Sequence, residues 1–228
     1  SMDTCNKLSK YFDKTGFPCK VIGVPKTVDN DLVKTLYCPG YGSASKYIAT
    51  TIEELALDTS VYEVGRITVC EIMGRDTGWL TASCAVASLS GKGPDLIYLP
   101  ENDFEIDAFL KDAETIYRKK GHCLVAVAEG IRTDKGYVGA KETIDSFNHV
   151  QLGGVANKLT NLISLQLGIN TRAIDLNLPQ RAAAHILSLR DQQDAFKCGK
   201  RAVQLALEGQ SGIMVSIGED NDNTVYGE

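Results

Sequence analysis

Residues 23–31, GVPKTVDND, place a lysine, a threonine and two aspartates in a short polar stretch directly after a β-rich run. Lys26 can neutralise phosphate charge and Thr27 can hydrogen-bond a phosphate or hydroxyl oxygen, while Asp29 and Asp31 can accept a proton or hold a metal ion. The competing reading is a plain turn, because Asp and Asn hydrogen-bond their own backbone in such stretches. A second unit of similar design follows. Residues 66–80, RITVCEIMGRDTGWL, lead from a buried-type run over 67–72 into a glycine-bracketed loop that carries Arg75. A guanidinium fork there suits charge on phosphate oxygens, whereas a solvated loop arginine would do nothing.

Both loops need strands to hold them. Strand-like runs recur at 19–24, 66–72, 95–99, 123–128, 172–178 and 212–217. Helix-period segments fall between them, at 3–14, 41–62, 77–89, 106–119, 151–167 and 190–209. Regular alternation of this kind predicts βαβ units with right-handed crossovers. The strands are apolar throughout, as expected when helices cover both faces of the sheet. The expected fold class is therefore α/β: mainly parallel sheets in a three-layer αβα arrangement. In such sheets ligands bind in the crevice at the carboxyl ends of the strands, which is where both polar loops fall.

With 43% hydrophobic and 23% charged residues among 228, the chain has the composition of an ordinary globular protein. A net charge of -5 argues against a broad nucleic-acid or anionic-membrane surface but leaves room for a local basic pocket. The seven cysteines are scattered without metal-ligand spacing and several lie in apolar segments, so they read as reduced and buried. No apolar run is long enough to cross a bilayer, no signal peptide is evident, and the expected location is cytoplasmic. Glu53, Glu54 and Asp58 are expected on a solvated helix face, and the acidic run 219–222 in a surface turn.

The pairing of PKTVDND with EIMGR resembles the phosphofructokinase family, in which a T-x-D-x-D loop and an M-G-R loop face each other across fructose 6-phosphate. The resemblance continues through AEGIRT at 128–133, QLGG at 151–154 and TRAIDLNLPQR at 171–181. It implies a phosphofructokinase-like fold, with a fructose 6-phosphate domain at 41–179 and an incomplete phosphoryl-donor domain made of 1–40 and 180–228. It implies Asp29 as the base for the sugar 1-hydroxyl, with Thr27 and Asp31 holding the sugar or the metal shell, and Arg75 stabilising the transferring phosphoryl group. Met73, Gly74 and Glu129 would then bind the sugar, and Arg181 its 6-phosphate. Mg2+ is the implied cofactor. Asp31 is one candidate ligand for it, and the main ligand is expected in a glycine-rich segment that family members carry before the residue matching Ser1.

Arg66 and Arg172 need a different place. Seven residues of strand at about 3.3 Å each separate Arg66 from Met73 by about 23 Å, too far for one hexose phosphate to touch both ends. Arg172 and Arg181 stand across a strand in the same way. If all four positions bind phosphate, Arg66 and Arg172 serve a site on another subunit. The resemblance agrees, and implies a homodimer or homotetramer with shared active sites.

Departures from the family pattern point to the donor. Lys26 stands where bacterial ATP users carry glycine, as in the pyrophosphate-using branch, where a lysine pairs with diphosphate and crowds out a nucleotide. Leu57 stands near the place of an effector-binding arginine, which favours an unregulated enzyme, and Leu178 replaces a histidine that contacts the sugar phosphate. The expected activity is diphosphate-dependent 6-phosphofructokinase, a glycolytic phosphotransferase, with this chain as an inactive fragment of it. The alternatives are an ATP-dependent phosphofructokinase and a non-catalytic sugar-phosphate-binding or regulatory subunit.

Overall fold

The computed structural model describes residues 2–139, 152–218 and the backbone of 225–227; Gln151 and the acidic run 219–222 lie outside the described residues. The chain begins with α1 (Met2–Thr15), β1 (Ile22–Gly23), α2 (Tyr41–Ser60), β2 (Ile67–Ile72) and α3 (Trp79–Ala82), which runs on as 3-10 helix over Ser83–Ser90. Then come β3 (Leu96–Tyr98), α4 (Ile106–Lys120), β4 (Cys123–Ala128) and the short strands β5 (Arg132–Thr133) and β6 (Gly136–Tyr137). The rest is α5 (Val155–Leu167), β7 (Thr171–Asp175), α6 (Pro179–Ala182), α7 (Leu189–Leu207), β8 (Ile213–Val215) and β9 (Val225–Gly227). These divide into two compact units, one of Ser1–Ser43 with Leu187–Glu228, the other of Ala44–Ile186.

The 44–186 unit is organised on a four-stranded sheet in the order β3-β4-β2-β7, every neighbouring pair parallel. Strands β2 and β4 are central and buried along their whole length, which is why their sequences are nearly continuous apolar runs. Alternate residues face opposite ways. Ile67, Val69, Cys123, Val125 and Val127 pack with Phe109 and Ala113 of α4 and Leu159 and Ile163 of α5. On the other face the Thr59 hydroxyl of α2 donates to the Thr68 hydroxyl at 3.1 Å, and Cys70 lies near Cys84. Helix α4 carries Asp107 in its first turn and Arg118, Lys119 and Lys120 in its last, both favourable to the helix dipole.

The other unit has a smaller sheet, β1-β8-β9. Its β1/β8 pair is parallel, with Ile22 opposite Ile213, and its β8/β9 pair antiparallel. Cys198, Ala202 and Leu205 of α7 form a core with Val215 and Ile217. Buried Asp194 accepts hydrogen bonds from the Tyr37 hydroxyl and Arg190 Nε, both at 2.6 Å. Asp191, also buried, accepts from the backbone N–H and hydroxyl of Ser43, both at 2.5 Å.

Several expected elements differ in extent. The run at 19–24 yields a two-residue strand, since among the described residues β8 is its one partner and Pro25 follows close behind. The helix expected over 77–89 is α-helical only at Trp79–Ala82. Beyond that it tightens to 3-10, where the hydroxyls of Ser83 and Ser90 donate to the carbonyls of Leu80 and Ala87. The strand expected over 172–178 stops at Asp175, whose side chain accepts from the Asn177 N–H and turns the chain into α6. The hairpin β5/β6, α6 and β9 are too short to show periodicity and were not expected. All seven cysteines are unbridged, and five are buried.

Candidate functional site

Side chains from three other segments hold the loop after β2. The Met73 N–H donates to Gln180 Oε1 at 3.2 Å, the Gly74 N–H to Glu129 Oε1 at 3.4 Å, and the Gly78 N–H to Glu101 Oε1 at 2.7 Å. Gly74 has φ 141°, a backbone region open to glycine. Its carbonyl accepts from the Gly130 N–H at 3.0 Å. Gly130 is glycine because of that approach, since a Cβ there would stand 1.8 Å from the Arg75 carbonyl oxygen. The β5/β6 hairpin holds the loop's far side: the Tyr137 hydroxyl donates to Asp76 Oδ1 at 3.0 Å, and Arg132 pairs with Asp76 at 3.5 Å. Arg75 sits between these clamps, and its guanidinium has no hydrogen-bond or ion-pair partner among the described residues.

Beneath this loop lies a cavity of about 120 Å³ whose lining includes Glu71, Met73, Glu129, Asp175, Asn177 and Gln180. That volume suits part of a sugar rather than a whole hexose phosphate, and the three carboxylates offer acceptors for sugar hydroxyls. Glu129 enters from the end of β4 and Asp175 from the end of β7, so the cavity sits at the carboxyl edge of the sheet. Arg181 is exposed on α6, next to Gln180, whose side chain is 1% exposed. A larger cavity of about 400 Å³ lies in the other unit, between α1, β1 and β8. Its lining is mainly apolar, so the smaller, polar cavity is the better candidate for a sugar.

Two side chains of the site escape a reading by motif. Glu71 stands inside an apolar run, yet the residue is 2% exposed and its carboxylate accepts from the N–H groups of Gly154 at 3.0 Å and Ala156 at 2.9 Å. It caps α5 from a neighbouring strand, because the helix's own N-cap is glycine. Burial pushes its carboxyl above the usual glutamate value, and the two N–H groups partly oppose that. Gln180 joins Met73 through Oε1 and donates from Nε2 to the Asn177 carbonyl at 2.9 Å. The one clue to Glu71 in the sequence is a lone acidic residue within a run that should be buried.

Lys26, Thr27, Asp29 and Asp31 all belong to the loop after β1, in the unit of Ser1–Ser43 and Leu187–Glu228. The Asp29 N–H donates to Thr27 Oγ1 at 3.2 Å, and Asn30, at φ 55°, accepts from the Cys38 N–H at 2.9 Å. The stretch is thus a true turn, and the turn leaves Lys26 and Asp31 exposed. Among the described residues no three His, Cys, Asp or Glu side chains converge as a metal site.

Arg66 and Arg172 lie at the opposite edge of the sheet from Arg75, at the starts of neighbouring strands: Ile67 pairs with Thr171 and Thr68 with Arg172. Both arginines gather on Tyr62, the Arg66 guanidinium 3.8 Å and that of Arg172 5.9 Å from the ring centre. Asp58 lies on a partly solvated face, as expected, and also pairs with Arg172 at 3.1 Å, because α2 ends beside that strand edge.

A family model described as Phosphofructokinase matches residues 1–206. A pyrophosphate--fructose 6-phosphate 1-phosphotransferase from Halomonas elongata is 40% identical over 226 residues, covering 97% of this chain and 54% of that protein. One of the same name from Methylococcus capsulatus is 39% identical over 227 residues, covering 98% of this chain and 54% of its own. The crystal structure of a pyrophosphate-dependent phosphofructokinase from Marinobacter aquaeolei is similar with a TM-score of 0.83 and 35% identity, over 99% of this chain and 55% of that one. The chain spans about half the length of the curated relatives it matches.

Proposed function

The chain belongs to the phosphofructokinase family, and from that premise we propose that it serves a diphosphate:fructose 6-phosphate 1-phosphotransferase, supplying the sugar-phosphate domain and part of the donor domain. The observation that carries this reading is the clamped loop of Met73, Gly74 and Arg75 above a carboxylate-lined cavity. Fixed donors and an unpartnered guanidinium are what phosphoryl transfer asks of a protein, since the reaction needs positioning and charge stabilisation more than covalent help.

In this reading Glu129 accepts hydroxyls of fructose 6-phosphate while bracing Gly74, and Met73 packs on the sugar. Arg181 binds the 6-phosphate from within the chain, and Arg66 and Arg172 bind that of a neighbouring subunit in a homodimer or homotetramer. Asp29 takes the proton of the 1-hydroxyl as its oxygen attacks one phosphorus of diphosphate, the bridging P–O bond breaks to release inorganic phosphate, and Arg75 meets the charge that develops on the transferring group. Thr27 orients the acceptor, and Lys26 pairs with the diphosphate. Bound Mg2+ would supply neutralisation of donor charge. Asp31 fits as one ligand, because Mg2+ is commonly held by one or two carboxylates plus substrate phosphates rather than by a full protein cage. The proposed setting is cytoplasmic glycolysis; among the described residues no helix is long and apolar enough to cross a membrane.

The test has two arms. Calorimetry on this chain should detect fructose 6-phosphate binding that Glu129→Ala abolishes. In a protein of the relatives' full length, Asp29→Asn should lower kcat by about 10²-fold with KM for the sugar phosphate nearly unchanged, as for loss of a positioned base. A KM effect at normal kcat would assign Asp29 to binding and require another base.

A further inference from the structure

We propose that Asp58 is a resident counter-ion that an incoming phosphate monoester displaces from Arg172, and that Tyr62 is the platform on which Arg66 and Arg172 are held ready for that exchange. This rests on the reading that the two arginines bind a sugar phosphate, and it adds what sets their affinity. The charge count is the starting point. Two guanidinium groups gather on one aromatic ring, and among the described residues one carboxylate serves them. Asp58 reaches Arg172 alone, while Arg66 pairs with no carboxylate among the described residues. Arg66 Nε is buried without a hydrogen-bond acceptor, so this half of the cluster is unsatisfied as it stands.

A phosphate monoester carries close to two negative charges and three acceptor oxygens, which matches two arginines better than a single carboxylate does. Asp58 is placed to give way. Its side chain is 43% exposed and that of Arg172 is 41% exposed, so their pair is weak and can part without stranding a buried charge. Its remaining tie is the Tyr62 hydroxyl, which donates to Asp58 Oδ1 at a long 3.3 Å. Tyr62 therefore acts through other residues: its ring orients the arginines by cation–π contact, and its hydroxyl holds the competitor in place.

The 228-residue chain, labelled with nitrogen-15, can be titrated at low ionic strength with inorganic phosphate and with fructose 6-phosphate while the Nε–H resonances of Arg66 and Arg172 are followed. Asp58→Asn should tighten phosphate binding about two- to fivefold, the scale of an exposed ion pair. Tyr62→Leu should weaken it about two- to fivefold, the scale of exposed cation–π contacts. Tyr62→Phe keeps the ring and frees Asp58, so it should bind at least as tightly as wild type, a rescue that a merely structural role would not produce. Equal affinity in wild type and Asp58→Asn would overturn the counter-ion, and equal loss in Tyr62→Phe and Tyr62→Leu the platform, both leaving the arginines as phosphate binders. No response of either arginine to phosphate in any variant would overturn the underlying reading as well.

Discussion

Replacing Glu71 by leucine removes a carboxylate from the middle of the main sheet at nearly constant volume, and it tests whether a strand can cap a helix it does not belong to. The N–H groups of Gly154 and Ala156 lose their acceptor, and Ala156 is fully buried, so water cannot readily substitute. Each stranded donor costs about 1–3 kcal/mol. Removing a desolvated charge returns part of this, leaving a net loss of about 2–4 kcal/mol. At about 2–4 °C per kcal/mol for a chain of this size, Tm should fall by about 10 °C. Scanning calorimetry reads the loss, and amide hydrogen exchange at Gly154, Val155 and Ala156 localises it. The pH dependence gives a second readout. Burial raises the Glu71 carboxyl above 4.5, so the folded chain holds that proton more tightly than the unfolded chain. The associated stability is complete below that unfolded value and is lost as pH rises through the folded one. Glu71→Gln, which cannot titrate, should therefore lag wild type more at pH 4.5 than at pH 7. An unchanged Tm with unchanged exchange in Glu71→Leu would refute the capping role.

Gly130→Ala should destabilise the 44–186 unit and abolish fructose 6-phosphate binding in calorimetry, because its Cβ would lie 1.8 Å from the Arg75 carbonyl oxygen and 2.7 Å from that of Gly74. Of the seven cysteines, only Cys5 and Cys19 should react quickly with a thiol reagent at pH 8, with the other five released on unfolding. Burial pushes the thiols of Cys84 and Cys123 up to about 12 and that of Cys38 up to about 11, so a fast count above two would contradict the packing. In a protein of the relatives' length, Lys26→Gly should collapse turnover with diphosphate while activity with ATP rises or holds level; a wild type that prefers ATP would refute the donor assignment.

The two central strands were legible because burial on both faces writes an unbroken apolar run, as in Cys123–Ala128. That Met73, Gly74, Arg75 and Glu129 stand just past the carboxyl ends of β2 and β4 was legible for the same reason, since the apolar runs show where those strands end; their part in binding rests on the family resemblance. Glu71 and Gln180 were not, since each serves backbone far away in sequence: Glu71 reaches Ala156, and Gln180 reaches Met73. No local pattern encodes an acceptor for another segment's N–H. The Asp58–Arg172 pair was not legible for a related reason. Helical spacing shows which face a carboxylate occupies, but only the fold shows that β7 brings Arg172 alongside it.

Sheet order also has a consequence for synthesis. Strand β2 gains its β4 neighbour once the chain reaches residue 128, but its other edge stays open until 171–175 has been made. At about 5–20 residues per second, the ribosome takes about 2–9 s to cover that interval. Throughout it, the free edge along Ile67–Glu71 presents unpaired N–H and C=O groups to any neighbouring nascent chain. Rare codons or stalls within that interval should therefore favour aggregation far more than those placed after residue 175, although neither alters a single amino acid of the product.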